Sequence, residues 1–254
     1  MQKLFFSILI IFLSIGTLSA QAKKNKYKKT KIQTHTTTTS SSTTTASPLS
    51  GGATLPENEI SRGLKEALMI GAKNAAAQLN KTDGFYGNPL IKIPFPENAK
   101  KVANELRQLG FGNKVDQFEL SLNRAAEGAS IEAAPIFINA ITSMGITDAK
   151  NILLGSNNAA TVYLQNKTST QLSSAFAPHI KSALDSTSAT KLWTEITEIY
   201  NKIPFVNQVD SDLTKYTTDK ALTGLFSVVA EEEKKIRDKP AARITDILKK
   251  VFAK

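Results

Sequence analysis

The sequence predicts an all-α protein, a compact multi-helix bundle of about ten helices with no significant β-sheet. Three observations carry that reading. Apolar residues recur three and four apart through nearly everything after residue 56, the spacing of one helical face. Alternation of β-branched residues is confined to Leu90-Ile91-Lys92-Ile93. Hydrophobic residues make up 41% of the 254, enough for a core, and no fixed-period repeat suggests a solenoid.

The elements follow in order. Ile60, Leu64, Ala67, Leu68 and Ala75 mark one face of a first helix over 57–80. Gly71 falls on that stripe, where it weakens the helix by about 1 kcal/mol relative to Ala and lets a neighbouring helix approach. Pro96 and Glu97 open a second helix, which ends at Gly110 as a left-handed cap. Val115, Phe118, Leu122, Ala125, Ala126 and Ala129 form the stripe of a third, over 113–128. Ser130 caps a fourth, with Pro135 near its start, Ile136, Phe137, Ala140, Ile141 and Met144 beyond, and Gly145 as its stop. Thr147 caps a short fifth over 148–154, ended by Gly155.

A sixth segment, 157–166, carries Val162, Tyr163 and Leu164. Thr168 and Gln171 have capping-box spacing and open a seventh helix with Leu172, Phe176, Ile180 and Leu184, bent at Pro178. Further helices are read at 188–203, stopping before Pro204, and at 217–237, with Leu222, Leu225, Phe226, Val229 and Ala230. Pro240 opens a last helix with Ile244, Ile247, Leu248 and Val251.

The N-terminal segments have a different composition. Lys3, an apolar run from Leu4 to Ile15, and small residues around Ala20 and Ala22 read as a signal peptide over 1–22, cut after Ala20 or Ala22. The apolar run falls short of the roughly 20 residues of a spanning helix. An uncleaved membrane anchor is the alternative. Residues 23–55 form a tether, Lys-rich and then Ser/Thr-rich (TTTTSSSTTT), too polar to build a core. Residues 56–254 are a single helical domain. The formal charge of +10 sits largely in the tether. Lys23, Lys24, Lys26, Lys28, Lys29 and Lys31 carry +6 and suit weak contact with an anionic membrane or glycan, or a plain solvated linker. Because the basic charge is not on the folded part, no nucleic acid is expected as a partner. The signal places the protein outside the cytoplasm, in the periplasm or cell envelope of a bacterium.

Composition removes several chemistries. There is no cysteine, so there is no disulfide, thiol nucleophile or thiolate metal site. The two histidines, His35 and His179, cannot build a multi-histidine centre in the domain. Nucleophile-elbow and phosphate-loop motifs are missing. Asp210-Ser211-Asp212 begins like a calcium loop, but positions six and twelve are Lys215 and Ala221 rather than Gly and Glu. No catalytic residue, metal site or cofactor is assigned.

Two stretches remain as candidate sites. On the third helix Asp116, Glu119, Asn123 and Glu127 span about 80° at 100° per residue, with Arg124 nearby. Oxygen ligands of this kind suit a hard cation, and paired carboxylates suit acid–base work on a glycan. A solvated helical face is the simpler reading of the same residues. The run Asp83-Gly84-Phe85-Tyr86 to Ile93-Pro94-Phe95-Pro96 is unusually apolar for a loop, with three aromatics and three prolines. It reads as a clamp for a ligand or partner through Asp83, Phe85 and Tyr86, or as a packed connector. Glu231 to Lys235 reads as a surface charge block.

Several stretches resemble the bacterial exported family known as domain of unknown function 4197. They are Gly63-Leu64-Lys65-Glu66-Ala67-Leu68, the loop from Asp83 to Pro94, and Phe118-Glu119-Leu120-Ser121-Leu122-Asn123-Arg124-Ala125-Ala126-Glu127. Thr218-Asp219-Lys220-Ala221-Leu222 to Phe226 and Ala241-Ala242-Arg243 to Phe252 complete the set, and together they cover about 57–253. The resemblance implies an exported helical protein and carries no activity or catalytic residue. Two functions are compatible with the sequence. One is a non-enzymatic binding or interaction module of the envelope. The other is a carboxylate-based hydrolase of an envelope glycan, using Glu119, Glu127 and Asp83 or Asp219. The first accounts better for the missing motifs, the tether and the apolar loop.

Overall fold

A computed structural model describes residues 56–202, 205 and 208–238, without the side chains of Asn98 and Ile199. The signal peptide, the tether and the helix expected from Pro240 lie outside those residues. Among the described residues the α-helices are α1 (Glu57–Leu79), α2 (Lys100–Leu106), α3 (Gly112–Ala129), α4 (Ala133–Thr142), α5 (Ile146–Leu154), α6 (Ala159–Ser186), α7 (Ala189–Tyr200) and α8 (Leu213–Asp238). No strand occurs among them, so the all-α class holds.

The count of about ten does not hold. The segments expected at 157–166 and from Thr168 are one helix, α6, of 28 residues. Thr168 does not cap it. Its hydroxyl donates back to Leu164 O at 2.6 Å, one turn earlier, and the residue is buried. Pro178 sits inside the same helix, which continues through it. Ser130 is likewise no cap. It lies in a short 3-10 stretch between α3 and α4 and donates to Ala126 O at 2.8 Å. α5 begins at Ile146, ahead of Thr147, and Asp148 accepts the Gly145 N–H at 3.2 Å. α8 begins at Leu213, four residues earlier than its periodicity suggests.

The long helix α6 is the axis of the bundle and packs against α3, α4, α5, α7 and α8. α1 packs against α4, α5 and α8. Its small stripe faces α8, as Gly71 suggests, although a Cβ there would sit 3.5 Å from the Glu232 Cβ, an ordinary contact. Most buried residues form one large core cluster, and Ala67 and Ile236 form a small separate one between α1 and α8. Phe95, Phe118 and Trp193 form an aromatic triangle with centroids 4.9 to 5.9 Å apart, and Phe137 meets Phe226 edge-on at 5.9 Å. Trp193 Nε1 donates to Asp210 O, which ties α7 to the approach of α8.

The chain passes from α2 to α3 through a wide turn, Arg107–Phe111, where Gly110 is left-handed at φ 88°. Residues 80–96 are irregular, and Phe85, Ile91, Ile93 and Phe95 point inward. Phe85, Ile93 and Phe95 are at most 2% exposed. Two glycines make room. A Cβ on Gly84 would lie 2.4 Å from Leu79 O, and one on Gly224 of α8 would lie 2.6 Å from Phe85 Cε1. No single helix among the described residues is long and apolar enough to cross a membrane.

Candidate functional site: a loop clamped to the polar face of α3

The two candidate stretches are in contact with each other. The polar residues of α3 recur every three or four positions at the edge of its apolar stripe, so they form a ladder one turn apart. The irregular loop beside it has backbone N–H groups with no helix or strand to satisfy them. The ladder accepts them. Glu127 Oε1 accepts the N–H of Phe85 at 3.1 Å and of Tyr86 at 3.2 Å. Asn123 Oδ1 accepts the N–H of Ile93 at 2.8 Å, while its Nδ2 donates to Ile93 O at 2.8 Å. Glu119 Oε1 accepts the N–H of Phe95 at 3.2 Å.

The rest of the cluster secures the ladder. Arg124 donates to Glu127 Oε2 at 2.5 Å and to Asp83 Oδ1 at 2.8 Å, so one guanidinium joins helix to loop. Those bonds, the one to Glu127 first, hold the Arg124 guanidinium above its ordinary pKa. Asp83 is left-handed at φ 65°, a conformation that Asp tolerates better than most residues. Asp116 stands apart from the clamp. It is exposed and pairs with Arg107 at 2.7 Å. Phe85 is fully buried against Gly224, inside the core and not on the loop surface. Tyr86 is partly buried, with the Lys92 ammonium 4.2 Å from its ring centroid.

Sequence reasoning missed four members. Asn80 donates to Glu127 O at 2.8 Å, and Lys92 lies 3.5 Å from Glu119. Arg107 lies 3.9 Å from Glu119. Tyr216 of α8 donates to Pro94 O at 3.1 Å, and burial pushes its phenol up to about 12. Asn80 and Lys92 belong to the irregular stretch itself and reach across to α3, whereas Arg107 and Tyr216 come from other parts of the chain, and no local spacing signals any of the four.

The carboxylates of this face are therefore engaged. Buried Glu127 and Asn123 have bonds to backbone groups that would be unsatisfied without them. Neither Glu119 nor Glu127 lines either of two open clefts found among the described residues, of about 360 and 570 Å³. The smaller cleft does contain two carboxylates, Asp212 and Asp219. Asp212 accepts the Lys215 N–H at 2.8 Å as the cap of α8, and Asp219 pairs with Lys215 Nζ at 2.6 Å. No group of three His, Cys, Asp or Glu among the described residues is placed to hold a metal ion.

A second polar cluster lies at the far end of α8, where the sequence suggests only surface charge. Glu233 is buried, and its carboxylate accepts the N–H groups of Ala160 at 3.1 Å and Thr161 at 2.9 Å. It caps the N-terminus of α6 from another helix. Arg237 binds the same carboxylate at 2.8 Å and donates to Ile152 O at 2.9 Å, at the end of α5. Glu232, also buried, accepts from Asn74 of α1 at 3.1 Å.

No curated protein and no solved structure matches the chain. A family model described as protein of unknown function, DUF4197, matches residues 54–253, covering α1 to α8 with both polar clusters, and the chain belongs to that family.

Proposed function

We propose that this is an exported protein of the bacterial cell envelope that works as a non-enzymatic interaction module, with the outer side of the 83–96 loop as its contact surface. One observation carries the reading: α3 spends its polar face on holding that loop in one conformation. A loop fixed in advance loses less entropy when a partner binds it. At its outer edge Leu90 is 83% exposed, with Lys92 over Tyr86 two residues on. An exposed leucine on the same loop as a half-buried tyrosine offers apolar area to a partner, and tyrosine is among the residues enriched where proteins meet. The hydrolase reading requires two free carboxylates facing one cleft, and Glu119 and Glu127 instead accept backbone N–H groups. Export rests on the composition of residues 1–22.

The test is photo-crosslinking in the native host. A photoreactive residue at position 90 should capture a discrete envelope protein, and one at exposed Ile131 should not. Equal or absent capture at both positions overturns the surface assignment. Recovery of the protein with the cytoplasmic fraction overturns export.

A further inference from the structure

The larger of the two clefts, about 570 Å³, lies where the first turns of α1 meet the end of α4 and the start of α5. Its lining follows from helical spacing. Arg62, Lys65, Glu66 and Met69 stand three and four apart, so they share one side of α1. Thr142, the last residue of α4, and Ile146, the first of α5, line the same cleft. None of these residues belongs to the 83–96 loop, so the cleft is a second site, independent of the loop surface.

Three polar groups in the cleft lack the partners their chemistry calls for. The Arg62 side chain is 72% exposed, and its ion pair with Glu59 is long, at 3.9 Å. Glu66 stands four residues after Arg62, the spacing of a helical ion pair, yet it forms no ion pair among the described residues. Ser61 is buried in the cleft wall, and its hydroxyl makes no hydrogen bond among the described residues. Lys65 completes the set. Its ammonium donates to Thr142 O at 3.0 Å, which holds it at the cleft and leaves two of its three N–H groups for a ligand. The rest of the lining includes aliphatic surface: Met69 is partly buried against the core, and Ile146 is half-exposed.

Such a lining defines a ligand class. Two cations beside a hydroxyl suit a phosphate, and a guanidinium has the geometry to bind one through two N–H groups. The Glu66 carboxylate opposes a simple anion and suits a ligand that also carries an ammonium group. Met69 and Ile146 add a place for a short aliphatic length beyond the head. The volume falls in the range of small-molecule sites, about 300–1,000 Å³. We propose that this cleft binds one zwitterionic phospholipid by its head. Arg62, Lys65 and Ser61 hold the phosphate, Glu66 takes the ammonium group, and Met69 and Ile146 meet the first carbons of the chain.

Methionine methyl signals test this in the full chain. Met69 lines the cleft, whereas Met144 is buried in the core and reports that the fold is intact. The probe is a short-chain lysophosphatidylethanolamine, kept below its micelle concentration. It should shift the Met69 methyl saturably and leave Met144 unchanged. Arg62→Gln should weaken that binding at least tenfold. Glu66→Gln should weaken it at least fivefold without weakening lysophosphatidylglycerol, which has no ammonium group. Absence of a saturable Met69 shift overturns the proposal, as does equal affinity in Arg62→Gln and wild type. Equal loss of both lipids in Glu66→Gln overturns the zwitterionic class. The same Met69 shift from inorganic phosphate at equal concentration assigns the cleft to a free anion and overturns the lipid.

Discussion

The acidic stretches of α3 and α8 look different in sequence and do related work. On α3, Glu119, Asn123 and Glu127 are spread over two turns and hold four N–H groups along an irregular loop. On α8, Glu233 alone holds two N–H groups of one helix terminus, with Arg237 bound to it and both side chains buried or nearly so. The same demand, buried backbone donors in need of acceptors, is answered in two forms. A helix end collects its free donors in one place, and a single carboxylate suffices. A loop strings them out, and a ladder is needed. The acidic residues of a helix edge are therefore explained by what lies across from them.

The first way to break this comparison is to remove the single carboxylate. Glu233→Ala leaves the Ala160 and Thr161 N–H groups without their acceptor and removes the carboxylate that balances the Arg237 charge, though Arg237 keeps its bond to Ile152 O, and should cost about 3–5 kcal/mol in urea unfolding, the range for one half of a buried ion pair. Glu127→Ala should cost less, about 2–3 kcal/mol, because Arg124 is 39% exposed and keeps Asp83 as a partner. A larger loss at Glu127 than at Glu233 would reverse the ranking.

Packing beneath the loop sharpens the point. Gly224→Ala drives a methyl group into the Phe85 ring and should cost about 1–3 kcal/mol. Phe85→Leu should recover part of that loss in the double variant, since the two positions share one space. Gly71→Ala should act in the opposite direction. The added Cβ meets only ordinary contacts, so a gain of about 0.5–1 kcal/mol is expected from helix propensity. A loss there would mean that α1 and α8 are closer than described.

Much of the fold was legible in the sequence. The stripe Val115, Phe118, Leu122, Ala125, Ala126 and Ala129 is buried as its spacing implies, and Gly110 is left-handed where a helix was expected to end. Misreadings came from hydroxyls. Thr168 and Ser130 resemble caps in sequence, but a hydroxyl inside a helix can return its proton to the preceding turn, and local spacing does not separate the two uses. The loop aromatics stand out in the sequence, and packing accounts for Phe85 and Phe95.

The site was half legible. The arc from Asp116 to Glu127 was visible, but its partner is a loop about thirty residues earlier, and nothing local connects them. Glu232 and Glu233 do carry a signal in the sequence. They stand three and four residues after Val229 and four and three before Ile236, on the apolar stripe of α8. A charged residue in phase with a buried stripe calls for a partner, whereas one out of phase does not.

The central claim is that the polar face of α3 exists to hold the loop. Amide hydrogen exchange, read residue by residue in wild type and in Asn123→Ala, tests it most directly. The account predicts that the Ile93 amide is protected in the wild type, and that the variant loses at least tenfold of that protection while the amides of α6 change little. An Ile93 amide that exchanges equally in both proteins would contradict it, and would return the α3 face to the open question of what else it binds.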